Sequence, residues 1–264
     1  MLIPFTWTPE NAYIEERGAM TAGRATGDGE PALVWERPEP PSRPALTPLS
    51  RDRIVRAAIR LADADGLASV SLRKVATDLD AGPMRLYGYL SSKDELLDLM
   101  VDTVYGEITS DLPTGDDWRA SLRSLAHRTR QAAHRHEWFA DLLAGRPHIG
   151  PNALAYVEAS IATLDGAPGF ADIDAVLRAL GAVNAYVIGA IQQDLTRSRA
   201  WRGAEPDDQA RRTATDAYMR RILATGRYPA LAKAMNERTP PDPDTDFDTG
   251  LDFILDGIAT HVTR

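Results

Sequence analysis

Between Ser50 and Val104 one short stretch carries four helical signatures in succession, and only short helices packed across one another can satisfy them all. Ile54, Val55, Ala58, Ile59 and Ala62 form an apolar stripe that Asp65-Gly66 closes as a helix C-terminus, which places the first helix over 51–65. Ser71 is a natural N-cap for a shorter second helix through Leu72, Val75, Ala76 and Leu79. Asp80-Ala81-Gly82 makes a three-residue turn, and Pro83 opens a third helix where a missing N–H does no harm. The stripe of that helix is Leu86 and Leu90. Ser92, three residues before Glu95, has the form of a capping box and starts a longer helix through Leu96, Leu97, Leu99, Met100 and Val104. A helix, a tight turn and a second helix, braced on both sides, follow the helix-turn-helix plan.

The third helix leaves Pro83, Met84, Arg85, Gly88 and Tyr89 pointing outward, and Tyr87 reads as a further contact with half-core packing as the alternative. An outward face with aromatics, an arginine and almost no acid suits a helix lying in a major groove. The chain as a whole carries a net charge of -8, which excludes a generally basic surface. From Arg51 to Lys93, however, eight basic residues face five aspartates, and phosphate contacts need only such a local excess.

At this point a family resemblance is visible. "DADG" closing the first helix, "SLRKVATDL" as the second, "LYGYL" in the third and "SKDELL" opening the fourth resemble the DNA-binding domain of the TetR family of bacterial transcriptional regulators. The resemblance implies an all-α protein with a helix-turn-helix DNA-binding domain over 49–108 and a larger helical ligand-binding and dimerisation domain over 109–264. Ser71 and Lys93, at helix N-termini, can meet phosphate, and Arg73 lies just inside the same turn as Ser71. Arg85 can pair with guanine O6 and N7. Met84 and Pro83 can touch a thymine methyl, and Tyr87 and Tyr89 carry hydroxyls for phosphate. Two positions depart from the family pattern: Asp80 stands where glycine is usual in the turn, and Gly88 where a larger residue is common. Gly88 is expected to let the helix backbone approach DNA closely; the alternative is that the position simply tolerates lost contact area.

For the larger half, Leu251, Ile254, Leu255 and Ile258 make one stripe, and Leu177, Leu180, Val187 and Ile191, with small Gly181, Ala185 and Gly189, make another. In the family such helices form a four-helix joint, so a homodimer on an inverted-repeat operator is expected; the alternative is that both stripes close a monomer core. The segment "HEWFADLLAGRPHIGPNALAYVEA" resembles the tetracycline-repressor subclass, whose R-P loop corresponds here to Arg146-Pro147. The metal-binding histidine expected ahead of that loop falls on Leu142, which argues against magnesium-tetracycline as ligand. Trp138, Phe139, Leu142, Tyr156, Asn184 and Gln192 are the other pocket candidates, as aromatics and isolated polar groups within apolar helices. Coupling is expected through the fourth helix, 92–108.

Other functions find little support. With no cysteine, thiol catalysis and thiolate metal sites are excluded. The histidines show no metal-ligand spacing, and HExxH, a phosphate loop and a nucleophile with its base are all missing, so no enzyme, cofactor or metal is expected. The start lacks a secretory pattern, and the most apolar stretch, interrupted at Asn184, reads as short of a membrane span; a cytoplasmic location follows. Residues 1–48, rich in Pro, Gly and Glu, read as a disordered arm, with Met20 as an alternative start. The expected function is a ligand-released transcriptional repressor. An activator of the same fold, or a small-molecule binder with a vestigial DNA domain, is the alternative.

Overall fold

The computed structural model describes residues 23–25, 31–41, 48–110, 117–143, 147–170, 172–202, 206–239 and 242–262. The reading domain holds α1 (Arg51–Asp65), α2 (Leu72–Asp78), α3 (Pro83–Leu86) and α4 (Lys93–Thr109). The larger domain adds α5 (Trp118–Arg135), α6 (Glu137–Leu143), α7 (Pro151–Leu164), α8 (Ile173–Arg202), α9 (Pro206–Ala224), α10 (Pro229–Glu237) and α11 (Pro243–Val262). Ahead of the helices, β1 (Gly23–Ala25) and β2 (Pro31–Ala32) pair antiparallel with Gly23 opposite Ala32.

Local chemistry accounts for the ends of the first helices. The side chains of Ser50, Ser71 and Ser92 accept from the backbone N–H groups of Arg53, Lys74 and Glu95, each satisfying an orphan donor of α1, α2 and α4. Gly66 stops α1 at φ 79° and donates to Ala62 O. Asp80 bends the α2–α3 turn at φ 49°, a left-handed conformation that Asp tolerates better than most residues.

Two expectations need correction. The third helix is a single turn, Pro83–Leu86, because Tyr87-Gly88-Tyr89 are poor helix formers and the backbone there tightens: Gly88 and Tyr89 donate to Arg85 O and Leu86 O at 3.2 and 2.9 Å. The arm is not uniformly unstructured either. Residues 31–41 dock on the reading domain, with Ala32 and Val34 only 3% exposed and Trp35 packed on the core. Averaging composition over 48 residues hides "PALVW", which has enough apolar area to bind. Met20 lies outside the described residues.

In the larger domain α4 packs along α7, and α8 lies between α5, α7 and α11. Phe139, Leu164, Ile191, Leu251 and Leu255 are fully buried at its centre. The two stripes expected to join chains therefore divide: Leu251, Leu255, Leu180, Val187 and Ile191 fill the core of one chain. Left outward are Leu177 on α8 and Phe253 on α11, the latter 73% exposed, with open space beside Gly181, Gly189 and Gly257. The α8 helix runs unbroken through Asn184, and an 18-residue stretch of mean hydropathy 1.4 within Ile173–Arg199 makes it long and apolar enough to cross a membrane by length and composition. That corrects the shorter estimate from the sequence; here Val176, Val183 and Leu195 on one side of the helix enter the protein core. Beyond it, α9 and α10 pack on each other; Tyr218, Tyr228, Leu231 and Met235 are exposed.

Candidate nucleic-acid interface and effector cavity

The reading face grows from the N-terminus of α2, all of α3 and the start of α4. Arg73, Lys74, Met84, Arg85, Tyr87 and Lys93 are exposed on it, and Met84, at 80%, is the most open large apolar side chain among the described residues. Pro83 is exposed and opens α3. Among the described residues none of Arg73, Lys74, Arg85 and Lys93 has a carboxylate within ion-pair distance, whereas Arg56 and Arg60, behind the face, are held by Asp52 and Asp78 at 2.9 and 2.7 Å. Lys74 was missing from the sequence-based set, although it follows Arg73 directly.

Some of the expected contacts move. Tyr89 turns inward to 8% exposure and its hydroxyl donates to Leu49 O at 2.9 Å, while Tyr87, for which half-core packing is the alternative, is 51% exposed. The inward turn follows from the early end of α3: Tyr89 lies beyond the helical register from which it was placed. The Ser71 hydroxyl oxygen is occupied by Lys74 N–H at 3.2 Å, which leaves its own O–H as the donor for a phosphate. Gly88 is exposed; a Cβ there would be tight against Arg85 O of its own turn at 3.3 Å and in ordinary contact with the Pro40 side chain at 3.6 Å.

In the larger domain a cavity of 20 Å³ lies between α5, α7 and α8, lined by Leu122, Leu125, Ala126, Tyr156, Ser160, Leu180, Val183, Asn184 and Val187. Of the pocket candidates only Tyr156 and Asn184 meet there. The Tyr156 hydroxyl lies 3.4 Å from Thr129 Oγ1, and burial pushes its pKa up. Phe139 is buried edge-on against Tyr105, and Leu142 packs on the core. Gln192 and Pro147 are exposed, and Arg146 lies outside the described residues. Trp138 is not at the cavity: its Nε1–H donates to Asp63 on α1 at 2.7 Å, and His136 Nδ1 lies 2.8 Å from the same oxygen. This joint between the domains escaped the sequence analysis, since its partners are far apart in the chain.

The α4 helix links face and cavity, with Lys93 at one end and Tyr105, 5.2 Å from the Tyr156 ring, towards the other. One turn earlier, Asp102 is buried and accepts from the backbone N–H groups of Asn152 and Ala153 at 3.0 and 2.9 Å, capping α7. Burial raises the Asp102 pKa against those hydrogen bonds. Gly150 is required for the approach, because a Cβ would stand 2.2 Å from the carboxylate.

A second, larger opening of 1320 Å³ separates α5, α8 and the start of α11. Its walls are charged and largely paired: Arg130 binds Asp194 and Asp244 at 2.9 and 2.7 Å, and His127 lies 2.8 Å from Asp248. With Arg119 on Asp256 and Arg123 on Asp252, these pairs form an antiparallel ladder between α5 and α11. Burial works against the Arg130 charge, but hydrogen bonds to Asp244 and Asp194 outweigh it and raise its pKa. The cleft is open to solvent, and its charged side chains are held to one another by these pairs.

Residues 111–262 match the family described as tetracyclin repressor-like, C-terminal domain. The chain belongs to the TetR family of transcriptional regulators. It is 35% identical over 252 residues to the HTH-type transcriptional repressor DrrR1 of Streptomyces coeruleorubidus, covering 94% of this chain and 92% of that protein. An HTH-type transcriptional regulator of Saccharopolyspora erythraea is 38% identical, with 89% and 94% covered. Among solved structures, the TetR family protein ActR from Streptomyces coelicolor in complex with actinorhodin superposes with a TM-score of 0.68 at 25% identity, over 83% of this chain and 100% of that one. TetR family membership accounts for the helix-turn-helix and for the larger helical domain behind it.

Proposed function

We propose that the chain is a homodimeric repressor that binds an inverted-repeat operator in the cytoplasm and leaves it when a mainly apolar small molecule enters the core cavity. The observation that carries this reading is the set of unpaired cations, Arg73, Lys74, Arg85 and Lys93, around the exposed α3 turn. Arg85 would read guanine through a bidentate pair. Ser71, Arg73, Lys74, Tyr87 and Lys93 would hold phosphates, and Pro83 and Met84 would contact thymine methyls. One such domain reads a half-site, and a palindrome needs two at fixed spacing. The outward strip of Leu177, Gly181, Ala185 and Gly189 on α8, with Phe253 and Gly257 on α11, would supply the joint, its small residues allowing close helix approach.

Release follows from the cavity's volume. A space of 20 Å³ admits nothing larger than about one water, so an effector bound there must favour an arrangement with α7 or α8 displaced. Such a ligand shifts the population by its differential affinity for the two states. Displacing α7 pulls on Asp102 and Tyr105, and through α4 on Lys93 and the reading turn. Tyr156, Ser160 and Asn184 would orient a ligand polar group.

The test is selection of random genomic fragments on the purified protein at near-physiological salt. An inverted repeat bound ~10³-fold or more tightly than bulk DNA is expected, and Arg85→Glu combined with Lys93→Glu should abolish that binding while the dimer persists. Retained operator binding in the double variant would overturn the assignment of the face; recovery of no motif would overturn the repressor reading itself.

A further inference from the structure

The α3 helix is four residues long, and a single isolated turn does not hold its own geometry. What fixes residues 87–91 therefore decides how Arg85 and Tyr87 are presented. Much of the answer is the docked arm. Arg37 donates through Nη1 to Ser91 Oγ at 2.6 Å and through Nη2 to Glu95, whose carboxylate also accepts Ser91 N–H at 2.7 Å. Two residues on, Glu39 accepts from Arg51 N–H at the first turn of α1, 3.0 Å away. The Arg51 side chain returns across the same gap, with Nε 3.3 Å from Tyr89 O and Nη2 3.4 Å from Pro38 O. Pro40 stands beside Gly88. Behind these polar contacts, Val34 and Trp35 anchor the segment in the domain core.

The arm thus ties the start of α1, the start of α4 and the turn between α3 and α4 into one body, and Arg37 does not face the reading side as a free cation: its side chain is 13% exposed, with Nη1 on Ser91 and Nη2 on Glu95. We propose that Arg37 and Glu39 are positioning residues for operator recognition, with residues 31–41 a brace that holds the 87–91 turn, and through it Arg85, Tyr87 and Lys93, in the DNA-binding arrangement. The inference rests on the regulatory reading above, but it concerns how the face is held and can be measured without DNA. Preorganising a recognition loop removes ordering entropy from the binding step, so loss of the brace weakens specific binding without removing any phosphate contact.

The experiment uses the full-length chain as wild type, Arg37→Ala, Arg37→Lys and Glu39→Ala. In the free protein, hydrogen exchange at the Gly88, Tyr89 and Leu90 amides, which donate to Arg85 O and Leu86 O, should quicken in both alanine variants, stay near wild type in Arg37→Lys, and remain unchanged in α8 and α11. On the fragment selected by the wild type, Arg37→Ala should bind about tenfold more weakly with an unchanged dependence on salt. Unchanged exchange at 88–90 overturns the brace. So does exchange that rises throughout the chain in both alanine variants, which would make the arm a general stabiliser. A salt slope that falls by about one overturns it differently, by making Arg37 a phosphate contact. If the wild type selects no fragment, the regulatory reading fails on that result alone, while the exchange data still decide whether the arm braces the turn.

Discussion

Replacing Asp63 with alanine removes the one carboxylate oxygen that accepts both Trp138 Nε1–H and His136 Nδ1 across the domain joint. Trp138 and His136 are both buried, so each loses a partner that water cannot easily replace, at about 1–3 kcal/mol per group. The Asp63 side chain is 31% exposed, and water entering from that side puts the total near the lower end, about 2 kcal/mol. His136 has a second neighbour, Glu107, 3.4 Å from Nε2 without hydrogen-bond geometry, and it compensates little. Trp138→Phe removes one donor and also some ring volume, so the single variant alone is ambiguous. A double-mutant cycle separates the two effects, since volume loss is the same with or without Asp63. Urea unfolding of the four proteins at pH 7, followed by far-ultraviolet circular dichroism because fluorescence would change with the tryptophan, should give a coupling of about 1 kcal/mol. Costs that add to within about 0.5 kcal/mol would refute the claim that this bond holds α1 to α6.

Along the α5–α11 ladder, Arg123→Asp or Asp252→Arg alone should lower stability by about 0.5–1 kcal/mol at low ionic strength, with the exchanged pair restoring most of it and the differences shrinking in 1 M salt; denaturant midpoints at two salt concentrations measure this. Arg130→Met leaves the buried Asp194 with Arg197 and, 3.7 Å away, His134, a loss of about 3 kcal/mol that Asp194→Asn in the same chain should largely recover in equilibrium unfolding. The Asp102 pKa lies above its ordinary 3.8 in the folded chain because burial disfavours the charge, so this group's contribution to stability is present at acid pH and lost as pH rises through the folded value. Between neutral pH and pH 4, wild type should therefore gain melting temperature relative to Asp102→Asn, and a constant difference across that range would show that burial does not raise this carboxyl's pKa.

The caps and turns of the reading domain were legible because each is decided within a few residues. Ser50, Ser71 and Ser92 bond three positions ahead, and the bend at Asp80 follows from one dihedral. Tyr89 is misplaced for a related reason: the sequence reading carries a period of 3.6 past Leu86, where the helix has ended. The core cavity proposed for the effector was hardly legible at all. Apolar helices line cavities and fill cores with the same residues, and only packing decides which happens. Trp138 was chosen as an aromatic near the R-P loop, but its role is set by Asp63, 75 residues earlier. The ladder is different again. Arg119, Arg123, His127 and Arg130 recur at helical spacing, as do Asp244, Asp248, Asp252 and Asp256; the pattern was present, but nothing in either run names the other as partner.

Charge shows most clearly what the fold adds. The sequence offers eight basic residues between Arg51 and Lys93 and a small local excess over acid, a weak signal inside a chain of net charge -8. Folding sorts them by employment. Arg51 and Arg53 turn to backbone carbonyls of Pro38, Tyr89 and Pro48, and Arg56 and Arg60 are neutralised by Asp52 and Asp78. Arg73, Lys74, Arg85 and Lys93 are left, on one face, around the α3 turn. A cation already hydrogen-bonded to carbonyls or paired with a carboxylate gives up those contacts when it meets a phosphate, whereas an exposed one gives up only solvent and its counterion, which is the source of salt-dependent DNA affinity. Pairing, more than net charge, therefore singles out the candidate DNA face, and the acidic surplus that makes the whole chain negative lies partly in α11, where its aspartates hold α5.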